Sequence, residues 1–211
     1  GFYPTYEINK FTVSYNLWGG AQWPGASIDP DKNILYVTSH NLPTKFKVYK
    51  SFDINKNLEL STNILSIGEK NKLDDIDGYP GIKPPWGSLT AIDLNSGKIL
   101  WQVPLGYFKK LKEKGFPDTG TANFGGATAT AGKLIFVSGT LDRLIRAFDS
   151  ETGKEIWTHE LPYIGSAPPS IYQVNDEQYI VIPATGGWSL SKIYPELVEQ
   201  GDAFVAFKLK K

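Results

Sequence analysis

RAFDSETGKEIW at Arg146–Trp157 echoes TAIDLNSGKILW at Thr90–Trp101. The offset is a constant 56 residues, and it links Asp149 to Asp93, Gly153 to Gly97, Lys154 to Lys98 and Trp157 to Trp101. Self-similarity at a fixed spacing marks a repeat architecture, in which each supersecondary unit buries its apolar face by stacking on the next. Asp, Ser, Thr and Gly give Asp149–Lys154 the chemistry of a tight turn, so Leu144 to Phe148 and Glu155 to His159 are predicted as the strands on either side. The repeated Trp is expected to dock between neighbouring units, where its large indole can be buried.

The repeat continues upstream. WPGASIDPDKNILYVTS (Trp23–Ser39) matches FGGATATAGKLIFVSG (Phe124–Gly139) with one extra residue in the turn. Each copy has a small-residue segment, a turn and an apolar run, which reads as two more strands, and four strands make one propeller blade. Between the copies lies GYFKKLKEKGFPDTG (Gly106–Gly120), 15 residues long; without it the repeat shortens to 41 residues, inside the range of about 40–45 expected for a four-stranded blade.

A third copy begins at SAPPSIYQVNDEQYIVIPATGGW (Ser166–Trp188) and ends with DAFVAFKLKK (Asp202–Lys211), with no turn or docking Trp after it. The expected fold is therefore all-β, a single partial β-propeller domain over 1–211 with about two and a half to three four-stranded antiparallel blades. One blade covers 16–104 with an insertion at about 41–85, a second covers 121–161 after the insertion 106–120, and an incomplete one covers 165–211. Completing the last blade would require a strand from the N-terminal segment. Because propellers run to about 4–8 blades, the remaining blades are expected upstream on the same polypeptide or on a separate chain. Exposed blade edges are expected to favour self-association.

At 41% hydrophobic and 13% aromatic, 211 residues can bury a sizeable core, and no apolar run approaches the roughly 18 residues that cross a membrane. Lys plus Arg equals Asp plus Glu at 22 each, so no global field favours nucleic acid. The absence of Cys excludes disulfides, thiol catalysis and cysteine-ligated zinc within this stretch. No signal peptide is visible, and with no Met anywhere the true N-terminus is expected upstream of Gly1.

Catalytic motifs are sparse. Asp74, Asp75 and Asp77 before Gly78 suggest calcium, yet an EF-hand alignment puts Leu73 and Pro84 at the first and last ligand positions, so a polar turn is expected. Lys109, Lys110, Lys112 and Lys114 read as a solvated face. His40 and His159 lack the spacing of a metal pair, and no P-loop, nucleophile elbow or dinucleotide fingerprint occurs. No catalytic residue or metal ligand is assigned. What stands out is Gly beside aromatic residues in WGGAQWPG (Trp18–Gly25), NFGG (Asn123–Gly126) and TGGW (Thr185–Trp188), at the ends of inner strands. Flat rings beside bare backbone suit a planar ligand or tight packing.

In combination, GGAQWPGASIDPDKNILYV, PPWGSLTAIDLNSGKILW, GTANFGGATATAGKLIFVSGTLDRLIRAFDSETGKEIW and QYIVIPATGGW resemble the C-terminal region of the pyrroloquinoline-quinone (PQQ)-dependent dehydrogenases, the quinoproteins. Order and spacing are most similar to the membrane-type glucose and quinate dehydrogenase branch. The resemblance implies an eight-bladed propeller with PQQ on its axis, a calcium or magnesium ion bound by parts outside this chain, and a periplasmic location. It also implies cofactor-binding residues. Gln22 of GGAQW stands where the family has a polar group near the quinone, more usually Asn or Glu, and Trp23 follows it. Phe124 matches a Trp of the alcohol dehydrogenases, and Gly187 and Trp188 match a Gly-Trp lining the ring, where the glucose-type branch has Gly-Gly-His-Gly.

The implied reaction is oxidation of an alcohol or sugar by hydride transfer to the quinone, with an Asp base and metal ligands on earlier blades; the isolated chain is expected to be inactive. The alternative is a non-catalytic propeller of the same repeat, acting as an assembly or carbohydrate-binding scaffold.

Overall fold

The computed structural model describes residues 5–15, 20–50, 52–53, 58–59 and 65–208. The chain divides into two units, Ala21–His40 with Pro84–Lys211, and Gly1–Gly20 with Asn41–Lys83.

The larger unit holds three antiparallel sheets. The first is β3 (Ser27–Asp29), β4 (Ile34–His40), β9 (Gly87–Asp93) and β10 (Lys98–Pro104), with the two-residue β2 (Gly20–Ala21) also paired to β4. The second runs in sequence order through β11 (Ala127–Ala129), β12 (Leu134–Val137), β13 (Leu144–Asp149) and β14 (Glu155–Glu160). β15 (Ser170–Val174), β16 (Glu177–Ala184) and β17 (Ala203–Lys208) form the third, which has three strands among the described residues. These are the blades expected from the repeat. Trp101 pairs with Ala91 and Trp157 with Ala147, and each pair adjoins a register shift.

The motif residues shape matching turns. Asp93 accepts from the Asn95 N–H and the Ser96 hydroxyl, and Asp149 from the Glu151 and Thr152 N–H groups. These bonds to the ionised form hold both carboxyls below the usual carboxylate range, led by Ser96 for Asp93 and Thr152 for Asp149. The Gly97 and Gly153 N–H groups close the turns onto the carbonyls of Asp93 and Asp149, at φ +68° and +70°.

Burial comes from stacking blade on blade. Tyr36, Leu89 and Ala91 of the first pack with Ala127, Ile135, Val137 and Phe148 of the second, and Ile145 and Leu161 pack with Ile182 and Ala184 of the third. Trp101 docks as its motif predicts: it stacks on Tyr36 at 6.0 Å between centroids and donates Nε1–H to the Ser150 carbonyl at 3.1 Å, in the turn of the next blade. Trp157 meets Phe207 edge-on at 5.3 Å and stays 39% exposed.

Both insertions carry structure of their own. The segment 106–120 contains α1 (Lys109–Glu113), which buries none of its residues. Phe108, before it, packs on Trp86 at 5.4 Å, and the Tyr107 N–H donates to Asp142 at 3.0 Å. A second short helix, α2 (Trp188–Ile193), lies between β16 and β17.

The smaller unit holds a three-stranded sheet of β1 (Phe11–Ser14), β5 (Thr44–Lys50) and β8 (Leu65–Lys72), and a two-stranded pair, β6 (Phe52–Asp53) with β7 (Leu58–Glu59). The insertion at about 41–85, read from sequence as a long loop, thus carries four strands among its described residues. Residues 44–48 of β5 alternate: Phe46 and Val48 are buried, while Lys45 and Lys47 flank the Phe11 ring at 4.8 and 5.6 Å. Within this unit the strand β1 pairs with β5. Asp75 accepts the N–H groups of Asp77 and Tyr79, the polar turn expected there.

Candidate cofactor cleft

The first strand of each complete blade is broken by its Gly-aromatic segment. In the first, β2 and β3 are separated by a turn in which the Gly25 N–H donates to the Gln22 carbonyl, and this turn lifts Trp23 out of the sheet to 76% exposure. In the second, Asn123 makes an isolated bridge to Thr140, Phe124 bonds through its N–H to Gly139, and β11 begins three residues later. In the three-stranded third blade the segment follows the second strand, β16, where Gly187 precedes α2, whose first residue, Trp188, is 69% exposed.

These breaks converge on one open cleft of about 420 Å³, lined by Trp23, Phe124, Gly187 and Trp188 together with Pro24, Ser166 and Ser189. Four of the five residues singled out from sequence therefore share one surface. Trp23 meets Phe124 edge-on, with centroids 6.4 Å apart and planes at 71°. Phe124 itself is 7% exposed, a buried floor in a lining that also carries two exposed indoles.

Gln22 is placed differently. It is buried and does not line the cleft; its side-chain Nε2 lies 3.3 Å from His40 Nε2. An amide nitrogen can only donate, so His40 Nε2 accepts and the ring proton sits on Nδ1. Nδ1–H then donates to the Asn123 carbonyl at 3.0 Å, which rules out its also accepting from the Asn123 N–H at 3.3 Å. The imidazole packs edge-on against Phe124 at 5.1 Å. Burial pushes His40 down to about 4, only partly offset by its bond to the Asn123 backbone, so the ring is neutral at physiological pH.

His40, Asn123, Pro24, Ser166 and Ser189 were not singled out from sequence as site residues. A signal for His40 existed: Tyr36, Thr38 and His40 form the buried face of β4, so period-two alternation puts His40 inside. Asn123 donates to the Ser39 carbonyl at 2.9 Å, while its own side-chain oxygen is buried without a partner. The serines reach the cleft through long-range packing, which leaves no local pattern.

The lining carries no charged side chain, and the nearby cation Lys192 sits over the Trp188 ring at 5.4 Å. Among the described residues no group of three or more His, Cys, Asp or Glu could hold a metal ion. Two open indoles and a buried phenyl floor fit a flat ring system; anionic substituents and a metal need partners from elsewhere.

Stacked four-stranded antiparallel blades with an aromatic cleft beside their first strands define a β-propeller that is built around its inner strand ends. The chain belongs to the PQQ family described as glucose/ethanol/alcohol dehydrogenase, beta-propeller domain, which matches residues 1–180. It is 33% identical over 212 residues to the glycerol dehydrogenase large subunit of Gluconobacter thailandicus, covering 85% of this chain and 28% of that protein. It is 28% identical to the quinate/shikimate dehydrogenase (quinone) of Acinetobacter baylyi, covering 92% and 26%. Among solved structures, the quinohemoprotein alcohol dehydrogenase of Pseudomonas putida superposes with a TM-score of 0.64 at 21% identity, over 95% of this chain and 28% of that one, a likeness of fold. The chain thus spans little more than a quarter of the length of the relatives it matches.

Proposed function

We propose that this chain forms one wall of the PQQ pocket of a dehydrogenase that oxidises an alcohol or sugar. The observation that carries the reading is the convergence of Trp23, Phe124, Gly187 and Trp188 on one cleft in a chain of the PQQ family. When bound, PQQ supplies an electrophilic carbonyl that accepts hydride from the substrate carbon.

The residues of this chain bind and orient. Trp188 and Trp23 offer exposed indole faces for stacking, and Phe124 closes the floor against water. Ser166 and Ser189 bring short polar side chains to the rim, and bare backbone at Gly187 permits close approach. With no ionisable group lining the cleft, this wall moves no proton; the base, the metal ligands and the partners of the cofactor's carboxylates belong to the remaining blades. A calcium or magnesium ion there and a periplasmic setting complete the reading. Among the described residues no helix is long and apolar enough to cross a membrane.

The test is titration of the complete protein with PQQ and calcium, followed by cofactor absorbance and dye-linked oxidation of alcohols and aldoses. Saturable binding with turnover is expected. Neither binding nor turnover would leave the scaffold reading as the better account.

A further inference from the structure

His40 occupies a position that the cofactor reading does not use. It ends β4, is 3% exposed, and touches both segments that present the cleft's aromatic rings. Through Nε2 it accepts from Gln22, the residue before Trp23; through Nδ1–H it donates to Asn123, the residue before Phe124; and its ring edge packs on Phe124 itself. We infer that His40 is the positioning residue of this wall, holding the Gln22–Gly25 turn and the Asn123–Gly126 segment at one spacing so that Trp23 and Phe124 meet a flat ligand in fixed geometry.

Several observations support this over simple space filling. Aliphatic side chains fill an apolar core without needing partners, whereas a buried imidazole costs free energy unless both nitrogens are satisfied. Here each nitrogen has a partner, and the two partners lie on different blades, 101 positions apart in sequence between Gln22 and Asn123. The neighbouring contacts of β4 reach the same two segments: the Gln22 N–H donates to the Thr38 carbonyl at 3.0 Å, Asn123 Nδ2 donates to the Ser39 carbonyl, and the Thr38 hydroxyl donates to the Gly125 carbonyl at 2.9 Å. The end of β4 is thus a brace between the first strands of both blades, with Thr38 bonded to Gln22 and Gly125 and His40 bonded through its ring to Gln22 and Asn123. Burial keeps the ring neutral, which Nε2 requires in order to accept.

The inference rests on the cofactor reading only for the identity of the ligand, so its test has two readouts. The complete protein is labelled with fluorotryptophan, and the Trp23 and Trp188 fluorine resonances are assigned by Trp→Phe substitution. In His40→Leu the Trp23 resonance is expected to shift and broaden while Trp101, in the interblade core, stays in place; PQQ affinity is expected to fall roughly tenfold. His40→Asn, which keeps an amide near Nδ1, and His40→Gln, which keeps one near Nε2, should each recover part of the loss. In the unsubstituted protein, nitrogen NMR should find the proton on Nδ1 with no titration near pH 6.5. An Nε2–H tautomer, or a folded His40→Leu with unmoved Trp23, would overturn the inference. If the unsubstituted protein binds no PQQ, the cofactor reading fails, and the fluorine and nitrogen spectra still decide the role of His40.

Discussion

Gly97 and Gly153 occupy the same motif position at nearly the same φ, +68° and +70°, yet they face different surroundings. A Cβ on Gly97 would meet nothing within 4 Å, whereas on Gly153 it would lie 2.6 Å from Cε3 and 2.8 Å from Cδ2 of the docked Trp101. Alanine at either place carries the left-handed backbone cost of about 1–2 kcal/mol. At Gly153 the indole must also give way, although its stacking on Tyr36 and its bond to Ser150 hold it. Overpacking of this kind costs about 1–3 kcal/mol, so Gly153→Ala should destabilise by that much more than Gly97→Ala. Urea unfolding of the 211-residue chain itself measures the difference as a shift in midpoint at unchanged slope. In a Trp101→Ala background the difference should vanish, as a double-mutant cycle requires when the indole is its cause. Equal costs for the two substitutions, or a difference that survives removal of Trp101, would refute the docking account.

Other outcomes follow from the same packing. His40 binds its proton at about 4 when folded and near 6.5 when unfolded, so the unfolded chain holds more protons between those values. Its contribution to stability is complete above pH 6.5 and is lost as pH falls toward 4, about 3 kcal/mol in all; His40→Gln should flatten that part of the pH–stability curve, and an unchanged slope would contradict the assignment. Arg146 and Asp142 form a buried ion pair, joined by the Thr140 hydroxyl and the Tyr107 N–H, that anchors the 106–120 insertion to the second blade. Arg146→Met leaves that carboxylate buried and unpaired, and should cost about 3–5 kcal/mol in urea unfolding; a loss below about 1 kcal/mol would show that the pair does not brace the insertion.

The blades were legible because their information is local and repeated. Asp149 and Gly153 specify their turn within six residues, and the 56-residue echo of Asp93 and Gly97 fixes its partner. The cleft was legible in part, since Gly beside Trp23, Phe124 and Trp188 marks the breaks in otherwise regular strands. The resemblance implied a place beside the ligand for Gln22 as well as Trp23, but successive residues at a strand end point to opposite sides; Trp23 faces out, and Gln22 faces His40. The sheet within the 41–85 insertion was missed because its pairing with the N-terminal strand is non-local and its Lys-rich alternation mimics a solvated loop.

The most direct test of the central claim is the PQQ affinity of the complete protein and its Trp188→Ala variant, with calcium present and cofactor absorbance followed. Trp188 keeps most of its surface free at the cleft, and losing that stacking area is worth about 1–3 kcal/mol, or roughly five- to a hundredfold in affinity. Trp157→Ala, at an interblade position away from the cleft lining, should lower stability and leave affinity unchanged. Equal affinity in Trp188→Ala and the unsubstituted protein would contradict the assignment of this cleft as a wall of the cofactor site.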